Sequence, residues 1–280
     1  MASMREIKRR RGSIQSTQQI TKAMKLVATV KLQKARTRAE NSKFYFQYMY
    51  RTINSVLAKA GSISHPFLKG GDSEKIGIVV VTSNRGLAGG YNANIARMIR
   101  SEFSETEKVG LYTVGRKGAE LLGRKGYEIL ADYSDVIEAP KFEDAKLICE
   151  QLLKDFASGN IGEIYVAYTE FVNTVTQAPK LMKLLPIEPE AGEETVPMNF
   201  EPNEEEAIEQ LVPKYMASIL YGSFVEAVAS ENGARMQAME AATNNAQEII
   251  SDLELKYNRA RQGAITQELT EIIAGADAIG

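Results

Sequence analysis

The stretch MQAMEAATNNAQEIISDLELKYNRARQGA, residues Met236 to Ala264, decides the fold. Its apolar positions fall at Met236, Met239, Thr243, Ala246, Ile250, Leu253, Tyr257, Ala260 and Ala264. These alternate in steps of three and four, the spacing of a two-helix seam. Thr243 alone in that row is polar. The chain from Pro213 to Gly280 holds no further proline, so the pattern predicts one helix over 213–277, a rod of roughly 100 Å at the helical rise. That exceeds the diameter of a globular domain of this size, so the helix must project and needs a partner.

The partner is the other end of the chain. Met4 to Ala58 has no proline and one glycine, Gly12, and reads as a second helix of roughly 80 Å. Ile7, Ile14, Thr21, Ala28 and Ala35 recur every seven residues, with Met24, Val27 and Leu32 beside them. Residues 1–40 carry eleven Lys or Arg against Glu6 and Glu40, a net of +9, whereas residues 201–280 hold fourteen acids and five bases, a net of −9. The two ends are electrostatic complements, and antiparallel pairing uses both. If the turn joins Ala60 to Pro213, opposed residue numbers add to about 273, which sets Ile7 near Thr266 and leaves the last dozen residues without a partner in the chain. Beyond Ala264 the seam positions become Gln267 and Glu271, and the apolar stripe moves to Ile265, Leu269, Ile272, Ile273 and Ala276, one face of a lone helix. An unpaired apolar tip implies a socket supplied by another chain; the competing reading is that the tip folds back on its own domain.

Between the helices strand and helix patterns alternate. Gly61 to Asp72 reads as a loop, and Lys75 to Thr82 (KIGIVVVT) as a buried strand. A helix over 93–103, a strand over 109–114, a helix over 117–124 closed by Gly126, and a strand over 127–131 follow. A helix over 142–156, a strand over 164–168 and an edge strand over 180–187 complete the set. Alternation of this kind predicts a mainly parallel, Rossmann-like sheet. Residues 188–206 are acidic and proline-bearing, a linker in which Asn203 and Glu206 offer a capping box for a short first helical segment; Pro213 fits the first turn of the main helix. The fold class is α/β: a long antiparallel coiled coil of the terminal helices plus a Rossmann-like domain, divided as 1–60, 61–200 and 201–280.

Nothing in the composition or the motifs argues for catalysis. The 280 residues are 44% hydrophobic, enough for a sizeable core. The single cysteine, Cys149, excludes an internal disulfide, fits a reducing compartment, and lies in a helical pattern with no nearby base. The single histidine, His65, excludes a multi-histidine metal site and a Ser/His/Asp triad elsewhere; in Ser64-His65-Pro66 it reads as a solvated loop residue. No apolar run approaches a membrane span, and the N-terminus has no signal-peptide core, so the chain reads as soluble and neither secreted nor inserted. The glycine-rich loop Ser83-Asn84-Arg85-Gly86-Leu87-Ala88-Gly89-Gly90-Tyr91-Asn92 leads into a helix and could in principle cradle phosphate. It has neither GxGxxG nor a following Lys-Ser or Lys-Thr, and reads as a structural strand-to-helix turn. No cofactor is expected.

Three runs resemble the gamma subunit of F-type ATP synthases: Arg5-Glu6-Ile7-Lys8 through Ser16-Thr17-Gln18-Gln19-Ile20-Thr21-Lys22-Ala23-Met24-Lys25-Leu26-Val27-Ala28, the loop from Thr82 to Asn92, and Tyr257-Asn258-Arg259-Ala260-Arg261-Gln262-Gly263-Ala264-Ile265-Thr266-Gln267-Glu268-Leu269-Thr270-Glu271-Ile272-Ile273-Ala274-Gly275-Ala276. The resemblance implies a non-catalytic rotor shaft. Its coiled coil would turn inside a ring of alpha and beta subunits, its α/β domain would meet the epsilon subunit and the membrane c-ring, and proton or sodium-ion flow would drive it. It further implies that Arg261 and Gln262 face a beta-subunit loop, with Thr266 and Glu268 in the same region. Met24 faces an acidic lever of a beta subunit, a partner that suits Lys22 and Lys25. Leu269, Ile272 and Ile273 sit in an apolar bearing, and Phe200 lies at the foot near epsilon and the c-ring. Nucleotides and active sites would belong to the head, and the membrane would be met only through the complex, at the cytoplasmic face of a bacterial cell membrane. The dithiol insert of chloroplast members is absent, which fits a bacterial type.

The chain departs from the family pattern at Asn84 (usually aspartate), Ala88 (often cysteine), Arg11 (usually apolar) and Gly263 (commonly alanine). Gly12, Gly233 and Gly263 fall inside helix, where each glycine costs on the order of 1 kcal/mol relative to alanine, predicting local softness near the upper end. Two other readings compete. A nucleic-acid-binding coiled coil would use the basic N-terminal helix, but residues 22–38 lack interleaved aromatics and the acidic helix cancels the field. A nucleotide-dependent enzyme would use the Gly86 to Gly90 loop.

Overall fold

The computed structural model describes residues 4–59, 65–71, 73–187 and 204–277. Phe200, Asn203 and most of the predicted linker lie outside them. Residues 1–27 with 236–280 form one unit and 28–235 another. Two helices are the longest elements, α1 (Met4–Lys59) and α6 (Glu204–Asp277).

The larger unit is built on a five-stranded sheet of β1 (Ile76–Val81), β2 (Val109–Val114), β3 (Glu128–Asp132), β4 (Glu163–Phe171) and β5 (Gln177–Leu185). Their spatial order is β3-β2-β1-β4-β5. Strands β1 to β4 run parallel, and β5 adds to β4 antiparallel, as an edge strand reached through a short turn can. Alternation along β1 separates two cores. Ile78 and Val80 point to one face, where they meet Ile95 and Ile99 of α3 (Tyr91–Glu102) and Leu122 of α4 (Arg116–Gly123). Val79 and Val81 point to the other, where Ile148 and Leu152 of α5 (Phe142–Ala157), Ile53 of α1 and Ile208, Val212, Leu220 and Phe224 of α6 complete the layer. Apolar residues on both faces make β1 a continuous hydrophobic run, as both sides of a covered parallel strand require.

A four-residue helix, α2 (Pro66–Lys69), lies inside the stretch expected to be loop, and His65 caps it: the Phe67 N–H donates to His65 Nδ1 at 3.2 Å. His65 is therefore half-buried and bonded rather than a solvated loop residue. Cys149 is buried in α5, its thiol 3.5 Å from the Pro213 carbonyl oxygen. Burial pushes that thiol up to about 12, so it is inert.

Pro213 does not open the C-terminal helix but lies inside it. Its ring removes one N–H from the ladder, and the carbonyl that loses its donor belongs to Glu209, which is exposed and can bond water instead. The helix thus begins nine residues earlier than predicted, and the register shifts with it.

Candidate partner-binding surface

The smaller unit is the paired coil of residues 4–27 and 236–277. On α1, Ile7 and Thr21 are buried and Ile14 half-buried; on α6, Met239, Ala246, Ile250 and Leu253 are buried, with Met236, Thr243, Tyr257, Ala260 and Ala264 half-buried. The predicted seam is the observed one, except that Val27 is 58% exposed and points away from it.

Four side-chain pairs fix how the helices slide past each other. Thr21 Oγ1 lies 2.7 Å from Thr243 Oγ1, and Gln18 Nε2 donates to Gln247 Oε1 at 2.8 Å. Lys25 Nζ pairs with Glu240 at 2.6 Å, and Arg11 Nη1 with Glu254 at 3.7 Å. The paired residue numbers add to 264 or 265, not 273. Ile7 therefore lies level with about Asn258 rather than near Thr266. The error follows from Pro213: a helix that starts at Glu204 brings its residues to the seam about one heptad sooner. The unpaired part of α6 is correspondingly longer, since the first described residue of α1, Met4, stands opposite about Arg261. Arg11 also places its guanidinium 5.9 Å from the Tyr257 ring centroid, which gives this residue, apolar in the family pattern, a defined seat at the seam edge.

The residues singled out from the sequence fall into two groups on this coil. Lys22 is exposed, Met24 half-buried, and Lys25 half-buried and engaged with Glu240. The second group begins about 30 Å further along by helical rise: Arg261, Gln262, Thr266 and Glu268 are all exposed. Above them Leu269, Ile272 and Ile273 are 55%, 68% and 61% exposed. Ile265, Leu269, Ile272 and Ala276 share one face. Three exposed large aliphatic side chains within five residues, at the end of a helix and away from any seam, form an apolar surface of the kind that a partner covers. Two cross-seam ion pairs express the expected charge complementarity between the helices, Arg11–Glu254 and Lys25–Glu240; Arg5, Lys8, Arg9 and Arg10 are exposed.

In the larger unit the glycine-rich loop is closed by its own hydrogen bonds. The Ser83 N–H donates to Asn92 Oδ1 at 3.0 Å, the Ser83 hydroxyl donates to the Arg85 carbonyl at 2.7 Å, and Asn92 Nδ2 donates back to Ser83 Oγ. Asn84 bridges two segments: its Nδ2 donates to the Ser134 carbonyl at 2.8 Å and its Oδ1 accepts from the Arg116 N–H at 2.9 Å. An amide supplies both donor and acceptor there, which a carboxylate cannot.

In a doubly wound sheet, ligands enter beyond the carboxyl ends of the strands where the strand order reverses. Here that place, beyond β1 and β4, is filled by α6. Tyr91 donates to the Ala227 carbonyl at 3.2 Å, Ser230 Oγ to the Thr169 carbonyl at 2.9 Å, and Arg235 reaches the Gly86 carbonyl at 3.3 Å. None of Tyr91, Ser230, Glu231 and Arg235 stood out as a set in the sequence; the i, i+4 spacing of Glu231 and Arg235 on a helix was the available signal.

Over residues 3–279 the chain matches the ATP synthase family. It is 58% identical over its whole length to the ATP synthase gamma chain of Lachnoclostridium phytofermentans, the whole of which is covered. The chain belongs to the gamma-subunit family of F-type ATP synthases, of the bacterial type. It is also 39% identical, over 99% of each chain, to the sodium ion specific ATP synthase gamma chain of Acetobacterium woodii. Among solved structures it resembles a chain of the Tetrahymena thermophila mitochondrial ATP synthase central stalk and c-ring, with TM-score 0.60, 26% identity, and 80% of this chain and 99% of that one covered. The likeness to a rotor chain of the Euglena gracilis mitochondrial enzyme, TM-score 0.70 at 18% identity over 94% and 98% of the two chains, is one of fold. A gamma subunit is the central-stalk component, the rotor shaft, of a membrane-associated complex. Among the described residues no helix is long and apolar enough to cross a membrane.

Proposed function

We propose that this gamma subunit transmits torque without catalysing anything itself. Its coiled coil turns inside a head of alpha and beta subunits and its α/β domain bears on epsilon and the c-ring, at the cytoplasmic face of a bacterial cell membrane. The working parts are residues 1–60 and 201–280 as the shaft and 61–200 as the foot. Leu269, Ile272 and Ile273 form the pivot that turns in an apolar bearing of the head. Arg261, Gln262, Thr266 and Glu268 touch a beta-subunit loop, while Met24 with Lys22 and Lys25 faces an acidic beta-subunit lever. Phe200 contributes at the foot. A shaft can make three otherwise identical sites differ only through unequal side contacts, and a two-helix coil with a polar and basic flank on α1 and an apolar tip on α6 provides such inequality.

The observation that carries this reading is the exposed apolar tip beyond the end of the paired seam. The experiment places a cysteine at Ile272 of the assembled synthase and treats the complex with a short thiol-directed cross-linker. A product joined to alpha or beta chains supports the pivot. Capture solely within the gamma chain overturns it.

A further inference from the structure

An apolar heptad row fits its partner almost as well after a slide of seven residues, so spacing alone does not set where two helices stop. The register expected from a turn between Ala60 and Pro213 differs from the observed one by eight or nine residues, close to one heptad, and the apolar row did not exclude it.

We infer that the Thr21–Thr243 pair is the register lock of the coil. The two hydroxyls meet inside the seam at 2.7 Å, with Thr21 only 8% exposed. Each also lies within bonding distance of a carbonyl of its own helix, Thr21 of Gln18 O at 3.0 Å and Thr243 of Met239 O at 2.7 Å. Two protons serve three contacts, so at any moment one hydroxyl donates across the seam and the other along its helix. If α6 slid by one heptad, Thr21 would face Ile250 and Thr243 would face Ala28; each hydroxyl would keep its own-helix carbonyl but lose the bond across the seam, with its oxygen set against hydrocarbon. The neighbouring pairs agree with the lock. The same slide would set Gln18 against Glu254 instead of Gln247, Lys25 against Gln247 instead of Glu240, and Arg11 against Arg261 instead of Glu254. A polar pair in an otherwise apolar row gives up packing stability for a single alignment. For the shaft the stake is length: a slide of one heptad withdraws the tip by about 10 Å relative to α1. That consequence rests on the shaft reading, whereas the lock itself does not.

The test uses the full-length chain with spin labels at Lys8→Cys and Ala241→Cys, both exposed positions, Cys149 being buried and unreactive. Moving the threonine, as Thr243→Ile with Ile250→Thr, is expected to bring Thr21 opposite position 250 and to lengthen the label distance by about 10 Å. An unmoved single distance in that variant overturns the assignment. Should that variant lose its helical structure, Thr21→Val with Thr243→Val carries the same test. It is expected to melt at or above the parent temperature and to show a second distance, and a single parental distance overturns the lock. Thr21→Ser with Thr243→Ser keeps the hydroxyls and is expected to retain the parental distance.

Discussion

Arg235 Nη1 lies 2.6 Å from Glu231 Oε1 one helical turn away, with the two side chains only 12% and 13% exposed. The guanidinium also reaches the Gly86 carbonyl, so one buried cation ties α6 to the loop after β1. Burial raises the Glu231 carboxyl more than Arg235 and Lys31 lower it, and Glu138 adds to the rise. Removing one member of such a pair leaves the other buried and uncompensated, whereas removing both need not. Arg235→Met is expected to cost about 3 kcal/mol in chemical denaturation. The double variant Glu231→Met with Arg235→Met should recover most of that loss.

Glu226 gives the larger unit a pH dependence. Its carboxyl is raised to about 7, first by burial and then by Glu170, with Lys180 and the Phe171 N–H acting in the opposite direction. Lys180 is held by Glu170 at 2.9 Å, and Oε2 of Glu226 has no partner among the described residues. Because the folded-state value is raised, the folded chain holds a proton that the unfolded chain releases. This contribution is fully present below the unfolded value of about 4.5 and is lost as pH rises through about 7. Between pH 5 and pH 8 the unfolding free energy of the parent, followed by chemical denaturation, is expected to fall relative to Glu226→Gln by on the order of 2 kcal/mol. Parallel curves would contradict this.

The helix glycines separate by surroundings. At Gly12 and Gly263 an added Cβ meets nothing within 4 Å, whereas at Gly233 it comes within 3.3 Å of Gln177 Nε2 and 3.5 Å of Phe171. Gly263→Ala is therefore expected to gain up to about 1 kcal/mol of local helix stability, read as slower hydrogen exchange around residue 263. Gly233→Val is expected to lose about 1–3 kcal/mol by pushing the β4–β5 turn off α6. Softness is expected at the former positions; Gly233 is a point of close approach.

Gly115 has φ +115°, and a Cβ there would stand 2.1 Å from the Thr82 carbonyl oxygen. Thr82 in turn bonds both ends of this turn, donating to the Gly115 carbonyl and accepting from the Gly118 N–H. Gly115→Ala is expected to cost on the order of 3 kcal/mol, since neither the backbone angle nor the space permits a side chain.

What could be read from the residues follows the range of the forces. The run Ile76–Val81 announces a covered strand because both faces need apolar residues, and the three-four steps from Met236 to Ala264 announce a seam because helix geometry repeats them. Alignment along the seam was not legible: a heptad row is nearly indifferent to a slide, and Pro213 resembles a helix opening, although an exposed carbonyl lets it stand inside one. The bonds from Tyr91 to the Ala227 carbonyl and from Ser230 to the Thr169 carbonyl join residues more than fifty positions apart, and no local pattern foretells them.

The niche beyond β1 and β4, where folds of this design usually wait for a cofactor, arrives already loaded with a helix of the same chain. A domain stiffened in this way needs no small molecule to hold its form. The crevice is thus spent on internal support, plugged by the chain's own helix rather than kept open for a guest.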